Sequence, residues 1–360
     1  SSASDPSYHG SPLSGAGIGS GSNVSGETVV NIKGGTITDA TGGKYGGAGI
    51  GSGTYRDGKE KGDVTINITG GTIEKATGGS DYVSSSERWY SGAGIGGGYG
   101  SGTTTINIKD EAHIASAEGG EHGSAGIGSG LNSGKSIINI LKGIIDKVIG
   151  GRFAAGIGSG WSSASEVNIS GGTLQTVTGG ACGAGIGGGF DGSSSDVTIT
   201  GGTLQTVTGG EYAAGIGSGY DGGPSTVNIS GDAKLDNVTG GALAAGIGGG
   251  ELSKNVEVVI DGGTIKATGG SAAAGIGSGF NGPSSVTIKS GTITATGSAD
   301  STSGSPGIGG NSADVTISGG TITATGYDTG AGIGGSDNHN SSSITITGGT
   351  ITANGSKAPA

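Results

Sequence analysis

Two apolar patterns alternate along the chain. One is strict alternation of apolar and polar residues, as in Thr226-Val-Asn-Ile229, which predicts a half-buried strand. The other is a single isoleucine set among small residues, Ala-Gly-Ile-Gly-Ser-Gly at 155–160. This second pattern occurs eleven times, exact or nearly so, starting at Ala16, Ala48, Ala93, Ala125, Ala155, Ala184, Ala214, Ala245, Ala274, Pro306 and Ala331. A period close to thirty residues means one structural unit stacked on itself. In the unit from Ala214 to Gly241, the Ile216 strand is followed by a turn at 220–225 and the alternating strand Thr226–Ile229. A corner at Ser230-Gly-Asp232 and a third strand carrying Leu235 and Val238 complete it. Val227 and Ile229 should point inward and Asn228 outward. The prediction is an all-β fold: a single-stranded parallel β-helix (solenoid) of about eleven coils, roughly 30 residues each, with three short strands per coil.

Aligned coils turn positions into columns. The inward column is Ile18, Ile50, Ile95, Ile127, Ile157, Ile186, Ile216, Ile247, Ile276, Ile308 and Ile333. An outward column reads Asn31, Asn67, Asn107, Asn139, Asn168, Thr198, Asn228, Val259, Thr287, Thr316 and Thr345, a series of side chains able to hydrogen-bond along the stack. Residues 15–354 form the repeat domain, 1–14 read as a linker or N-terminal cap, and 355–360 as a C-terminal linker.

Two columns flank the glycine-rich strand. After the Gly-Ser-Gly corner come Tyr99, Trp161, Phe190, Tyr220 and Phe280, with Leu131 in register and Tyr55 one residue late. Two residues after each Gly-Gly come Tyr45, His122, Phe153, Cys182, Tyr212 and Leu243. These side chains either fold over the thin glycine strand and shield it, or form an aromatic trough suited to sugar rings. The spacing swells to 45 residues between Ala48 and Ala93, with surplus at 54–62 and 80–91. Insertions in a repeat array map to surface loops. Tyr55, Arg56, Tyr82, Arg88, Trp89, Tyr90 and neighbouring Tyr99 are therefore the first candidate ligand-binding residues, since Trp, Tyr and Arg dominate binding hot spots.

Composition narrows the function classes. The chain has 360 residues, 91 of them Gly, with a formal charge of −11 and no basic cluster, which argues against nucleic acid. The longest apolar run is too short for membrane insertion as a helix. Cys182 is alone, so no internal disulfide forms. Asp191 and Asp221 occupy equivalent places in adjacent coils and are weak candidates for Ca²⁺ or for a catalytic pair, yet Asn132 and Asn281 share their column, as ordinary turn residues do. No metal centre, cofactor or catalytic motif is expected.

The pattern Val-Asn-Ile-Ser-Gly-Gly-Thr-Leu…Thr-Gly-Gly…Ala-Gly-Ile-Gly-Ser-Gly resembles the glycine-rich repeats of large bacterial cell-surface proteins. More distantly it is similar to clostridial right-handed β-helix proteins that bind acidic plant polysaccharides. Those carry Gly-Asp-Gly-Ile where this chain has Gly47-Ala-Gly-Ile50, so their calcium sites are not implied here. The resemblance implies a secreted or bacterial surface protein, non-catalytic, acting as an adhesin or carbohydrate-binding module on a glycan, a polysaccharide or a host or cell-surface protein. Three alternatives stay open: a stalk or filament subunit that self-associates end to end, an ice-binding surface on threonine columns such as Thr292/Thr294 and Thr321/Thr323, and a polysaccharide-degrading enzyme.

Overall fold

The computed structural model describes residues 13–55, 61–84, 88–191, 194–299, 304–336 and 342–355. Among them the fold is an all-β parallel solenoid of about eleven turns with no helix. The eleven two-residue Ile-Gly strands make one sheet. They pair in parallel with Ile on Ile from Ile18 to Ile333, in the register the sequence predicts. The second and third strands of the coils share a larger, nineteen-stranded sheet. In most coils a glycine corner separates them, as between Ser165–Ile169 and Thr173–Thr178. In five coils the corner is absorbed into one long strand, for example Ser225–Thr239 and Val256–Thr268. There the ladder continues through the bend, Ser230 on Asp261 and Gly231 on Gly262, because Gly231 and Gly262 take positive φ.

The core is a continuous column of β-branched and aliphatic side chains. Ile50 through Ile308 of the isoleucine column are fully buried, and only the end members Ile18 and Ile333 are partly exposed. Val227, Ile229, Leu235 and Val238 face inward as predicted. The one-residue-longer corners at 109–114 and 230–235 bulge, and the extra residue, Ala112 or Ala233, fills the core.

Glycine after each core isoleucine is a steric requirement. Gly187 has φ 131°, and a Cβ there would overlap the carbonyl oxygen of Gly217 in the next coil. The motif serine has its own task. Ser129 and Ser159 accept the amide N–H of Gly160 and Gly189 at 2.9 and 2.8 Å, satisfying buried donors across the coil boundary. Outside, the predicted amide column is realised. Asn67, Asn107, Asn139 and Asn168 each donate from Nδ2 to the Oδ1 of the asparagine one coil earlier, at 2.9 to 3.1 Å. The run ends at Thr198, which pairs with Asn168 in the backbone register.

Ile186→Ala, a cavity in the isoleucine column, is expected to cost about 2–5 kcal/mol. Gly187→Ala adds only one methyl and should still destabilise by at least about 1–3 kcal/mol, through strain and overlap. Denaturant unfolding of both variants checks this; a Gly187→Ala protein as stable as the parent would contradict the steric account.

Candidate functional site

Where the chain leaves each Ile-Gly strand, a tight turn begins at the aromatic column. The residue after it takes the left-handed conformation: Asn132, Ser162, Asp191, Asp221, Leu252 and Asn281 have φ between 47° and 65°. That conformation explains Asp and Asn in this column without any metal. Asp221 is paired with Lys254, Oδ1 to Nζ 3.2 Å. Among the described residues, no group of three His, Cys, Asp or Glu could hold a metal ion.

Backbone hydrogen bonds knit the two aromatic columns together. The N–H of Phe190 donates to the carbonyl of Phe153 at 3.0 Å, Tyr220 to Cys182 at 3.0 Å, Glu251 to Tyr212 at 2.9 Å and Phe280 to Leu243 at 2.9 Å. The side chains of both columns are therefore held on one face of the rod and meet in a chain of ring contacts. His122 lies 4.9 Å from Phe153 and 5.6 Å from Trp161; Phe153 and Trp161 are 5.1 Å apart. Phe190 is 5.4 Å from Phe153 and stacks on Tyr220 at 5.5 Å, and Tyr212 lies 5.6 Å from Tyr220. His122, Phe153, Trp161, Phe190, Tyr212, Tyr220 and Phe280 are half-buried. Each ring is partly packed against its neighbours and partly accessible, so the two alternatives of the sequence are combined in one strip.

The insertion joins this strip. Ser80–Val83 and Arg88–Ser91 form an antiparallel hairpin, with Tyr82 opposite Trp89. Trp89 stacks on His122, centroids 4.2 Å apart and planes 4° from parallel, and Tyr82 lies 5.1 Å from Trp89. Tyr82 and Trp89 keep 44% and 39% of their surface exposed, and Arg88 is also exposed. Tyr55, Tyr90 and Tyr99, at 2%, 2% and 5%, are buried and cannot meet a ligand directly. Tyr90 and Tyr99 pack with Leu131 in a small satellite core under the hairpin. Arg56 lies outside the described residues. The candidate set thus contracts to Tyr82, Arg88 and Trp89 and gains His122, Phe153 and Tyr212 from the second column.

Electrostatics differ along the strip. Arg88 and Arg152 lie toward the hairpin, with the Arg152 guanidinium 5.1 Å from the Phe153 ring centroid. Glu211, Glu251, Asp191 and Asp221 lie toward Tyr212 and Tyr220. Burial, and secondarily the charge of Arg152, hold the His122 imidazole below its usual value. Burial pushes the Cys182 thiol up, consistent with packing. Glu251 is the column member that hydrophobic patterning missed; the signal was its place one coil after Tyr220, where an aromatic was due.

A family profile described as "Beta helix repeat" matches residues 30–54, 66–99, 167–190, 197–220, 258–280, 286–312, 315–337 and 344–360, more than half of the chain. The chain belongs to the beta helix repeat family. No curated protein and no solved structure matches it. In this beta helix repeat protein, four matched windows end on Tyr99, Phe190, Tyr220 and Phe280, so the position that carries the strip closes the repeat. The coils bearing His122, Phe153 and Trp161 lie between matched windows.

The Trp89–His122 stack should be pH-dependent. Because the folded-state pKa of His122 is lowered, its contribution is present above the ordinary histidine value of about 6.5 and is lost as pH falls through the lower folded value. In a Trp161→Phe background, Trp89 emission is expected to titrate with a midpoint below about 6.5, and a further His122→Gln change should abolish the transition. A midpoint at or above the free-histidine value would refute this.

Proposed function

We propose that the protein is a non-catalytic glycan-binding rod, acting as an adhesin or carbohydrate-binding module on a secreted or bacterial surface protein, without a cofactor. The observation that carries this reading is the uninterrupted chain of half-exposed rings from Tyr82 and Trp89 through His122, Phe153, Trp161 and Phe190 to Tyr220 and Tyr212. Aromatic faces carry negative potential and attract the polarised C–H groups of a pyranose face. The strip advances about 4.8 Å per coil, so its contiguous part spans on the order of 20 Å, enough for several sugar rings in line. Held by a backbone ladder, the rings lose little freedom on binding, which favours affinity. The net charge of −11 and the absence of a basic cluster in the sequence speak against a polyanionic nucleic-acid partner.

A polysaccharide and glycan screen with the intact chain beside a Trp161→Ala/Phe190→Ala variant tests the reading. Loss of two stacking faces is expected to weaken binding at least about tenfold, with no effect of a chelator. Equal binding by both proteins, or none by either, would overturn it.

A second reading, end-to-end self-association, is favoured by one observation. The strand Ser343–Ile346 pairs with the coil before it and leaves Ile344 and Ile346 45% and 51% exposed, although their column partners Val315 and Ile317 are buried. Further coils or a second copy would cover that face. If copies cover it, light scattering should show concentration-dependent assembly that Ile344→Lys/Ile346→Lys abolishes.

A further inference from the structure

We infer that Glu251 is the specificity-determining residue of the aromatic strip, selecting a neutral β-linked hexose chain with equatorial hydroxyls and excluding polyuronates. This rests on the glycan-binding reading above.

Glu251 occupies an aromatic position. Its carbonyl accepts the N–H of Asp221, just as Tyr220 accepts that of Asp191 and Phe280 that of Leu252, so it stands in register between Tyr220 and Phe280. Each neighbour is about one coil, roughly 4.8 Å, away. Its own N–H is held by the Tyr212 carbonyl at 2.9 Å. The cation nearest in sequence, Lys254, is engaged by Asp221. Among the described residues the Glu251 carboxylate has no hydrogen bond or ion pair. Partial burial alone raises its carboxyl above the ordinary range, with no cation pulling it down. A half-buried carboxylate kept without a partner among aromatic rings has unused acceptor capacity on a surface that otherwise offers only ring faces.

That combination reads one sugar chemistry. A pyranose with equatorial hydroxyls has two flat C–H faces, which fit ring platforms such as Tyr220 and Phe280, and a rim of vicinal O–H donors. A carboxylate accepts two such donors in charge-assisted bonds. A uronate brings a second negative charge against Glu251, in a patch that also contains Glu211; the nearest guanidinium, Arg152, lies toward the hairpin over the Phe153 ring. The repulsion is short-ranged and only partly screened at a half-buried site.

The test is calorimetric titration of the full chain with cellohexaose and with the β-1,4-linked hexaglucuronate, which differ only in oxidation at C6. The parent should prefer cellohexaose at least about tenfold, and E251Q should lose about tenfold in cellohexaose affinity while the preference narrows. Glu251→Leu, a residue the column already accepts at Leu131, serves as a second variant and should behave alike. Trp161→Ala separates the two readings. If Trp161→Ala loses cellohexaose but both Glu251 variants keep the parent's affinity and preference, the inference about Glu251 alone fails. A parent that prefers the hexaglucuronate also overturns it, and a parent that binds neither sugar overturns both readings.

Discussion

Every coil of this rod must superpose on the next at the spacing of a parallel hydrogen-bond ladder, and the rest of the structure follows from that. The N–H of Ile186 reaches the carbonyl of Gly215 at 3.0 Å, and Gly188 reaches Gly217 at 2.9 Å. At that approach the residue after each core isoleucine from Ile18 to Ile308 has no room for a Cβ, and it takes a backbone conformation that glycine alone adopts cheaply. The same constraint dictates where length can change. An extra residue is tolerated as a bulge that returns its side chain to the core, as Ala112 and Ala233 do. A dozen-residue surplus is tolerated only as a hairpin leaving the rod at a corner.

Strict register makes each side chain the neighbour of its own counterpart. Inside, this gives isoleucine on isoleucine with little room for compromise. Outside, it gives the asparagine run, in which each amide is both donor and acceptor for the next. At the corners it gives the ring strip. The rise between coils exceeds the thickness of an aromatic ring, so most rings do not stack flat on the ring below. They tilt by 43° to 66° and close the gap with contacts both within a column, as His122–Phe153 and Trp161–Phe190, and between columns, as Phe153–Trp161 and Phe153–Phe190. Two pairs lie parallel, Trp89 on His122 and Phe190 on Tyr220.

The strip is therefore both a structural cover for glycine-rich backbone and a rigid apolar surface. Those roles do not compete: a half-buried ring packs against its neighbours and keeps the rest of its surface accessible without reorganisation. The two arginines of the strip lie toward the hairpin, whereas Glu211 and Glu251 lie toward Tyr212 and Tyr220. Such a surface has a direction, and an extended ligand would meet different chemistry at its two ends.

The repeat period and alternation were enough to read the fold, the coil count, the isoleucine column and the asparagine column, because each depends only on which residues recur at which spacing. The same reading placed the aromatic columns at the right positions. It could not decide which members face solvent: Tyr82 and Tyr90 sit in one inserted segment, yet cross-strand pairing leaves the first exposed and turns the second into a satellite core. Nor could it join Trp89 to His122, 33 residues apart, since that contact depends on where a hairpin folds back against the rod. Asp191 and Asp221 looked like a pair by spacing alone; the left-handed turn and the lysine beside Asp221 give them an ordinary role. Periodicity is a property of the backbone ladder and is written in the sequence. Exposure and contact at the insertions arise from packing between segments that share no period, and only the tertiary structure decides them.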